Sequence, residues 1–546
     1  MKKTPHQSQI PNNMIPARYP SRLMGRYSIS SRLIHLGLAI SSILNAPSSW
    51  AAPKSKNPSS DTISKLPIAK PPETIILKDG DRVTLTAAPV REKIKGKWMR
   101  RFAYNGMIPG PKFIATEKTK IQLTLVNEIG IPTTLHSHGL RGTDRNDGVV
   151  GIGQGPILNH ESFTYDLVFP DTGLFWYHPH LTEELTQEMG LQGTYLVIPK
   201  EANATLSPPR HEIIVLDDLL VEGGKLPHFT HGETSYALMG RYGNHLLVNN
   251  QMANNQYAAK MTASANEVMR FYIVNTANAR PFRISMSNAQ MKVVGGDNGF
   301  YEKEFLADEL IISPAERLIV DVKFLNPGVA SLSHRSTKIR TPLLKIKVGP
   351  APSRPEVQTG FLPLRVRSEV TSDMESVRKL LPMKPDFHMA IDAKLSGQHA
   401  AHMSMGTPPE DGIEWEDTMS SMSAEMTEKQ VAWIMTDVVT GKTNMDINWK
   451  FTEGKPVKIK IDNFGKTHPM QHPIHFHGQR FVVISRNGVP QENLAWKDTA
   501  LIPAGQTMDL VLDNLNPGRW MGHCHIAEHL AVGMMFGFEV AAKESK

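Results

Sequence analysis

Near its carboxyl terminus the chain reads His523-Cys524-His525-Ile526-Ala527-Glu528-His529-Leu530-Ala531-Val532-Gly533-Met534. Cys524 is the only cysteine in 546 residues, so it has no partner for an intramolecular disulfide. A thiolate, two imidazoles and a weak thioether are the ligands of a blue-copper electron-transfer site. Cys524 and His529 supply two of the strong ligands, Met534 suits the axial position, and one histidine must come from elsewhere. Alternate residues of a strand point to opposite faces, so His523 and His525 point away from this copper.

Length and composition favour several domains built from β-strands. A chain of 546 residues is too long for one core and indicates about three domains. Glycine (40) and proline (39) are plentiful, and runs such as Lys120–Val126 alternate between polar and apolar residues, which is typical of a half-buried strand. Many short strands between Gly and Pro turns, in three blocks of similar size, predict an all-β fold of three Greek-key sandwich domains.

The first 52 residues differ in charge from the rest and indicate a leader. They have six basic and no acidic side chains, whereas the remainder has 54 basic and 53 acidic ones and gives no electrostatic case for nucleic-acid binding. A basic region precedes the apolar run Leu33–Leu44, and Ser49-Trp50-Ala51 fits a cleavage site. We predict a signal peptide, a periplasmic or otherwise secreted protein, and no stable membrane insertion, because the apolar run is too short to span. A cytoplasmic protein with a disordered tail is the alternative.

The predicted organisation has six parts. They are the signal peptide (1–52), a flexible lead-in (53–72), the first domain (73–200), the second domain (205–350), a connection (351–385), and the third domain (386–546) with a Met-rich segment at 386–435. The second domain has no cysteine and no His-x-His pair, and we interpret its nearest approach, His228-Phe229-Thr230-His231, as a solvated loop. We therefore predict that the second domain is a spacer without copper.

Four clusters contain ten of the 22 histidines. They are His136 and His138; His178 and His180; His472, His475 and His477; and His523, His525 and His529. One His-x-His pair is weak evidence, because alternate strand positions often repeat a residue type. Four clusters beside Gly or Pro turns, one of which encloses the lone cysteine, favour a centre of several metal ions over a buried cysteine with incidental histidines.

The order of these clusters resembles the multicopper oxidases, the family of laccases and bacterial copper-efflux oxidases. All four copper motifs are present, and the similarity covers nearly the whole mature chain. Tyr104-Asn105-Gly106 followed by Pro109-Gly110-Pro111 is also similar to the family's first domain. The resemblance implies three cupredoxin domains with a trinuclear copper cluster between the first and the third. It implies four copper ions, of which one is type 1, one is type 2 and two are type 3.

The resemblance also implies a role for each of these residues. The type 1 copper would be bound by His472, Cys524 and His529, with Met534 axial; the type 2 copper by His136 and His475; and the type 3 pair by His138, His178, His180, His477, His523 and His525. Such an oxidase takes four single electrons from its substrate at the type 1 copper and reduces O2 to water at the cluster. Cys524 is joined through the backbone to His523 and His525, which makes it a covalent path between the two centres.

Reduction of oxygen also needs protons, and Asp147 is a candidate to deliver them. It lies in Asn146-Asp147-Gly148, nine residues beyond His138, and matches the family's acidic residue near the type 2 copper. A surface turn is the alternative interpretation. Several bacterial relatives have a glutamate directly after the last type 1 histidine, whereas this chain has Leu530 there and Glu528 before the histidine. The proton route on that side is therefore left open.

Methionine is concentrated between Asp386 and Met426. The six methionines of these 41 residues are Met389, Met403, Met405, Met419, Met422 and Met426, against 27 in the whole chain. Thioethers select Cu(I), and the copper-efflux oxidases have a Met-rich insert in a similar place. We predict that all six except Met389 bind substrate copper and that the segment partly covers the type 1 site. Packing of a small helix is the alternative.

The predicted function is a monomeric Cu(I) oxidase of copper tolerance, with O2 as the electron acceptor. A laccase-like phenol oxidase and an Fe(II) oxidase are the alternatives within the family. Two other classes are a non-catalytic copper carrier or store and a two-domain nitrite reductase. Both fit less well, because neither needs a complete cluster of eight histidines.

Overall fold

Three β-sandwiches follow one another along the chain. The computed structural model describes residues 60–200, 210–226, 234–253, 261–351, 361–397 and 409–544. In these residues the strands form six sheets, two from each consecutive part of the chain. The predicted all-β fold of three sandwich domains is confirmed. Within the same ranges no helix is both long enough and apolar enough to cross a membrane. The predicted signal peptide and the His228–His231 loop lie outside the described residues.

The first sandwich has nine strands in the described residues: β1 (Thr74–Ile76), β2 (Arg82–Ile94), β3 (Lys97–Tyr104), β4 (Lys112–Thr116), β5 (Lys120–Asn127), β6 (His136–His138), β7 (Ser162–Val168), β8 (Gly173–His178) and β9 (Gly193–Ile198). Their order is β1-β4-β9-β8-β6 in one sheet and β3-β2-β5-β7 in the other. In β5 the buried residues Ile121, Leu123 and Leu125 alternate with more exposed ones, as a period of two predicts. They form one apolar core with Phe113 and Tyr195 of the opposite sheet.

The second sandwich has twelve strands among the described residues: β10 (Arg210–Leu219), β11 (His245–Val248), β12 (Gln251–Met252), β13 (Thr262–Ser264), β14 (Val268–Asn275), β15 (Phe282–Ser287), β16 (Ala289–Gly296), β17 (Gly299–Ala307), β18 (Leu310–Ile312), β19 (Arg317–Phe324), β20 (Gly328–Arg335) and β21 (Arg340–Gly349). The sheet orders are β12-β11-β10-β14-β19-β16-β17 and β13-β21-β20-β15-β18. Within the larger sheet, Arg270 Nε lies 2.7 Å from Asp321 Oδ1 in a buried ion pair.

The third sandwich has eleven strands in the part that the structure describes: β22 (Phe387–Leu395), β23 (Val431–Asp437), β24 (Asn448–Thr452), β25 (Val457–Asn463), β26 (His472–Phe476), β27 (Phe481–Arg486), β28 (Val489–Pro490), β29 (Thr499–Ile502), β30 (Gln506–Leu512), β31 (Gly518–Cys524) and β32 (Met535–Ala541). The sheet orders are β23-β22-β25-β30-β27-β28 and β24-β32-β31-β26-β29.

Helices are short and lie between the strands. Those in the described residues are α1 (Ser60–Ser64), α2 (Glu183–Thr186), α3 (Ser368–Arg378), α4 (Ser420–Glu425) and α5 (Ala527–Ala531), with 3-10 turns at Asp144–Asn146 and Asn444–Asp446. α3 lies in the stretch predicted as a connection, where its buried Met374 and Val377 pack against Val482 and Ile484 of the third sandwich. This part of the connection is therefore folded onto the third sandwich.

Four strands bring the histidine clusters to the same end of two sheets. β6 pairs with β8 so that His136 is opposite His178, and β26 pairs with β31 so that His475 is opposite His523. Cys524, the next residue along β31, belongs to the apolar core of the third sandwich. Because of the alternation along β31, the side chains of Cys524 and His523 point to opposite faces of the sheet, as the sequence predicts.

Candidate metal centre

Eight of the predicted ligands converge between the first and third sandwiches. These histidines form three groups of three. Within each group, one ring nitrogen of every residue lies within 4.8 Å of the other two. The groups are His136, His138 and His475; His138, His178 and His525; and His180, His477 and His523. All eight residues are buried. The four strands β6, β8, β26 and β31, with the residues that directly follow them, supply the whole set. The structure therefore brings together four clusters that are far apart in the sequence.

The inward ring nitrogens suit metal ions better than hydrogen bonds. The Nε2 atoms of His477 and His523 lie 2.9 Å apart. The Nε2 atoms of His136, His180 and His475 are buried without a hydrogen-bond partner. An unpaired buried polar group costs about 1–3 kcal/mol, so several in one place indicate a ligand that satisfies them. Imidazole is a good ligand for copper, and the donor set fits that metal.

Burial keeps most of these imidazoles neutral. In six histidines the pKa lies well below its ordinary value, mainly because of burial and secondly because of the neighbouring imidazoles. They are His138, His178, His180, His475, His477 and His525. Burial also lowers the pKa of His523 to about 4. The neutral imidazole is the form that binds a metal ion, so these histidines have no proton to release when a metal binds near neutral pH.

Backbone carbonyls hold the outward ring nitrogens of three of these histidines. His136 Nδ1 donates to the carbonyl of Asp147 at 2.7 Å, and His475 Nδ1 donates to the carbonyl of Asp498 at 2.8 Å. His523 Nδ1 donates to the carbonyl of Cys524 at 2.8 Å. A proton on Nδ1 leaves the lone pair of Nε2 free for a metal, so these bonds aim the rings at the centre.

Asp147 contacts two histidines of the centre. Its Oδ2 accepts a hydrogen bond from His477 Nδ1 at 2.8 Å, and its Oδ1 lies 3.3 Å from His136 Nδ1. Asp147 is buried, which argues against the alternative of an exposed turn. Gly148 follows with a φ of +85°, and a Cβ added there would clash with the carbonyl of Leu135. Glycine at position 148 thus lets its backbone approach that of Leu135 closely, beside the histidines.

A small cleft adjoins Asp147. Its lining includes the polar residues Thr143, Asn146 and Asp166, and the ring of Trp520. Asn146 and Asp166 are partly or fully exposed, whereas Asp147 is buried at the inner end. Polar side chains therefore line the cleft beside the residue whose carboxylate contacts His477.

The residues predicted for the type 1 copper meet in the core of the third sandwich. Cys524 Sγ lies 3.5 Å from His472 Nδ1 and 3.6 Å from His529 Nδ1, and all three residues are fully buried. Met534 belongs to the same core, and its carbonyl accepts a hydrogen bond from the Cys524 amide at 3.1 Å. Burial raises the pKa of the Cys524 thiol. The thiolate therefore needs a cation beside it, and a bound metal ion supplies one.

A tryptophan and a loop of the second sandwich cover the outer side of these histidines. The Trp433 ring lies 4.6 Å from the ring of His472 and 4.5 Å from the ring of His529. His529 Nε2 donates to the carbonyl of Leu238 at 3.1 Å. The next residue, Met239, has its Sδ 2.9 Å from Nε2 of His468. An imidazole and a thioether therefore lie in contact just outside the cysteine site.

Three of the five methionines predicted to bind substrate copper lie in the described residues. Met419 and Met422 are half-buried against the core of the third sandwich, and Met426 is fully buried in it. The Met426 carbonyl accepts a hydrogen bond from the Ala237 amide at 3.0 Å, which places the end of the Met-rich segment beside the loop that covers His529. Met403 and Met405 lie outside the described residues.

Sequence reasoning missed three charged residues around the centre. Glu183 Oε1 lies 3.3 Å from His180 Nδ1, and Asp498 Oδ1 lies 3.7 Å from His138 Nδ1. Arg317 of the second sandwich forms an ion pair with Asp498. Glu183 follows a His-x-His pair by three residues, and that proximity was the only signal for it. Asp498 and Arg317 belong to no motif, and only the packing of the sandwiches reveals them.

Comparison with known proteins gives the family. Three family models, each described as multicopper oxidase, match residues 86–202, 224–331 and 416–544. Multicopper oxidase MmcO of Mycobacterium tuberculosis is 27% identical over 491 residues, which cover 83% of this chain and 85% of that protein. Laccase-24 of Oryza sativa subsp. japonica is 25% identical over 533 residues, which cover 80% of this chain and 88% of that protein. The solved multicopper oxidase from Campylobacter jejuni matches with a TM-score of 0.65 at 22% identity, over 90% of this chain and 99% of that chain.

The matches agree with the geometry. A family model falls on each of the three sandwiches, and the relatives align with most of the chain. The histidine groups and the buried cysteine are a donor set for copper. The resemblance predicted from the four motifs is therefore confirmed, and this chain belongs to the multicopper oxidases, which are oxidoreductases that use O2.

Proposed function

We propose that this multicopper oxidase is a Cu(I) oxidase that contributes to copper tolerance. The supporting observation is the burial of both type 1 histidines, His472 and His529, beneath Trp433 and the loop 237–239. A phenol needs an open apolar pocket at such a ring. A small soft ion needs only a few soft ligands close to the cover. The cover therefore favours a metal ion over an organic substrate.

We further propose that the chain holds four copper ions. His472, Cys524, His529 and Met534 would hold the type 1 copper; His136 and His475 the type 2 copper; and His138, His178, His180, His477, His523 and His525 the type 3 pair. The grouping of their donor atoms and the unpaired inward nitrogens support this assignment. Bound copper would supply the one-electron oxidation of the substrate and the four-electron reduction of O2 to water.

We propose His468 and Met239 as the point at which the substrate ion docks. Imidazole nitrogen and thioether sulfur lie 2.9 Å apart there, and both ligand types suit copper. Met239 directly follows Leu238, whose carbonyl accepts the hydrogen bond of His529 Nε2. An ion held by this pair is therefore one peptide unit and one hydrogen bond away from a type 1 ligand.

The Met-rich segment leads to the same point. The hydrogen bond between the Met426 carbonyl and the Ala237 amide joins its end to the loop that carries Met239. Thioethers exchange Cu(I) readily because they are soft and weakly held ligands. We propose that the segment's methionines Met403, Met405, Met419, Met422 and Met426 collect the ion before it reaches His468 and Met239.

Asp147 is our proposed proton donor. Its carboxylate lies between His477 and His136, and we propose that water reaches it through the adjoining cleft. A group that passes protons must touch both the reacting site and a water path, and Asp147 meets both conditions. It also orients His477 and His136, so its two roles are joined in one side chain.

The leader supports a place of action outside the cytoplasm. We propose that residues 1–52 are removed on export and that the mature monomer works in the periplasm or beyond it. Amino-terminal sequencing of the protein from the producing cell tests the cleavage. A mature protein that still begins with the basic region would contradict export by this leader.

Oxygen uptake by the copper-loaded protein tests the substrate. Cu(I), Fe(II) and a phenol are compared at matched concentrations, and we expect kcat/KM to be at least about tenfold higher for Cu(I), a difference of about 1.4 kcal/mol in activation free energy. An equal or faster reaction with Fe(II) would favour an iron oxidase, and with the phenol a laccase. Full copper loading without any oxygen uptake would instead favour a carrier or store.

A further inference from the structure

One arginine of the second sandwich contacts all three sandwiches beside the histidine centre. Arg317 is the first residue of β19 and is fully buried. Its Nε donates to the Leu174 carbonyl of β8 at 2.9 Å, and Nη1 and Nη2 donate to the Asp498 carboxylate at 2.6 and 2.5 Å. Nη1 and Nη2 also donate to the carbonyls of Ala315 and Asp297 at 3.1 and 3.2 Å. Every N–H of the guanidinium thus has an acceptor.

Asp498 extends this contact to two histidines. Its carbonyl accepts the hydrogen bond of His475 Nδ1 at 2.8 Å. Its Oδ1 lies 3.7 Å from Nδ1 of His475 and 3.7 Å from Nδ1 of His138, a nitrogen that has no hydrogen-bond partner. Thr499 Oγ1 donates to Asp498 Oδ1 at 2.9 Å. One residue therefore faces histidines proposed for the type 2 and the type 3 copper.

We propose that Arg317 is a positioning residue for the type 2 copper and acts through Asp498. The guanidinium fork holds both carboxylate oxygens in one plane, which fixes Asp498 and the carbonyl that orients His475. Without the fork, a fully buried carboxylate loses its counter-charge and turns towards other donors. The inference rests on the four-copper loading proposed above.

The type 2 copper is the ion that such a change affects first. It has two proposed protein ligands, His136 and His475, whereas each type 3 copper has three. A change in the orientation of His475 therefore removes half of its protein ligands. The type 1 residues make no contact with Arg317 or Asp498 among the hydrogen bonds and ion pairs of the described residues. Loss at the type 2 position should leave the blue site intact.

The test compares Arg317→Lys and Asp498→Asn with a matched control, Arg270→Lys. Arg270 forms the same kind of buried forked pair with Asp321, at 2.7 and 3.1 Å, inside the second sandwich. Each protein is loaded with copper, and copper per chain, the visible band, the type 2 paramagnetic signal and the rate of copper release to a chelator are measured. Changes in the residues that hold a ligand histidine typically weaken metal binding by about 10- to 100-fold.

We expect both test variants to release type 2 copper about 10- to 100-fold faster than wild type and to keep the visible band. Arg270→Lys should keep all four ions at the wild-type rate even though it is less stable. If Arg317→Lys does not fold, Asp498→Asn decides, because it keeps the size and the carbonyl of Asp498. An unchanged type 2 signal and release rate in the folded variants would overturn the inference. A wild-type protein without that signal would instead contradict the proposed loading.

Discussion

At Cys524 two requirements oppose each other. The side chain is fully buried, and burial raises the pKa of its thiol, yet only the thiolate binds copper. Neutral His472 and His529 lie beside the sulfur and bring no positive charge, because burial lowers the pKa of His472 to about 3 and that of His529 well below its ordinary value. The charge that stabilises the thiolate must therefore come from the metal ion itself.

Replacing Cys524 by serine should separate the two copper centres. A serine hydroxyl is a much poorer copper ligand than a thiolate, so Cys524→Ser should lose the visible Cu(II)–thiolate band and abolish turnover. Copper per chain should fall from about four to about three on our proposed loading. Met534→Leu is the matched control, because it keeps the thiolate and hence a visible band. A blue Cys524→Ser protein would refute the assignment of this cysteine.

A second prediction at the scale of single residues concerns Asp147. Asp147→Asn keeps the carbonyl that orients His136 but removes the charge beside His477. Oxygen reduction should slow by about 100-fold or more, the usual contribution of a positioned acid, while the blue site still accepts electrons and bleaches during turnover. Asp166→Asn, in the same cleft, is the control and should change little. Equal oxygen uptake by Asp147→Asn and wild type at saturating reductant would reduce Asp147 to an orienting role.

At the scale of elements, the loop 237–239 is the link between the Met-rich segment and the blue site. Its Ala237 amide bonds to Met426, its Leu238 carbonyl bonds to His529, and its Met239 sulfur contacts His468. The Trp433 indole also donates to the Ala237 carbonyl at 3.0 Å. The loop is therefore held from both sides, by the Met-rich segment and by residues beside the cysteine site.

Met239→Leu should distinguish ligation from packing in this loop. Leucine keeps the apolar bulk and removes the sulfur, so kcat/KM for Cu(I) should fall about tenfold, or about 1.4 kcal/mol, with little change for a phenol. Met508→Leu, a fully buried methionine of β30, is the control for general repacking. If Met239→Leu leaves Cu(I) kinetics unchanged while Met419→Leu with Met422→Leu slows them, the ion docks on the segment and not on the loop.

At the scale of the whole molecule, the buried histidines should make the protein less stable in acid. Seven buried histidines of the centre have pKa values below the unfolded value of about 6.5: His138, His178, His180, His475, His477, His523 and His525. The unfolded chain therefore takes up protons first, and the free energy of unfolding of copper-free protein should fall as pH drops below about 6.5, by up to about 1.4 kcal/mol per pH unit for each histidine. For His523 this loss continues to about pH 4.

Urea unfolding of copper-loaded and copper-free protein between pH 7.5 and pH 4.5 measures this effect. Copper binds only the folded arrangement, so it should raise stability at every pH. The decline should be at least as steep as without copper, because histidines that hold copper take up no protons in the folded state while the unfolded chain still does. A copper-free protein whose stability does not change across this range would mean that the histidines are accessible to protons when folded.

The groups of histidines and the cysteine proposed as copper ligands could be predicted from the sequence because metal chemistry restricts residue type and short spacing. Cys524, the lone cysteine with a histidine on either side, indicates a metal site by itself. Strand alternation alone places its side chain and that of His523 on opposite faces. The same holds for the all-β fold, since a period of two is a local property of runs such as Lys120–Val126. These features depend on neighbours within about ten residues.

The residues that hold those ligands could not be predicted, because their contacts join distant parts of the chain. Arg317 meets Asp498 across 181 residues, and Leu238 meets His529 across 291. Neither contact leaves a local pattern, because an arginine and a backbone carbonyl look the same in the sequence wherever they lie. Their roles come from the way in which the second sandwich packs against the other two. The second domain supplies none of the ligands proposed for the type 1, type 2 and type 3 copper. It nevertheless contacts His529 directly and the histidine centre through Asp498, and only its position in the folded chain makes that possible.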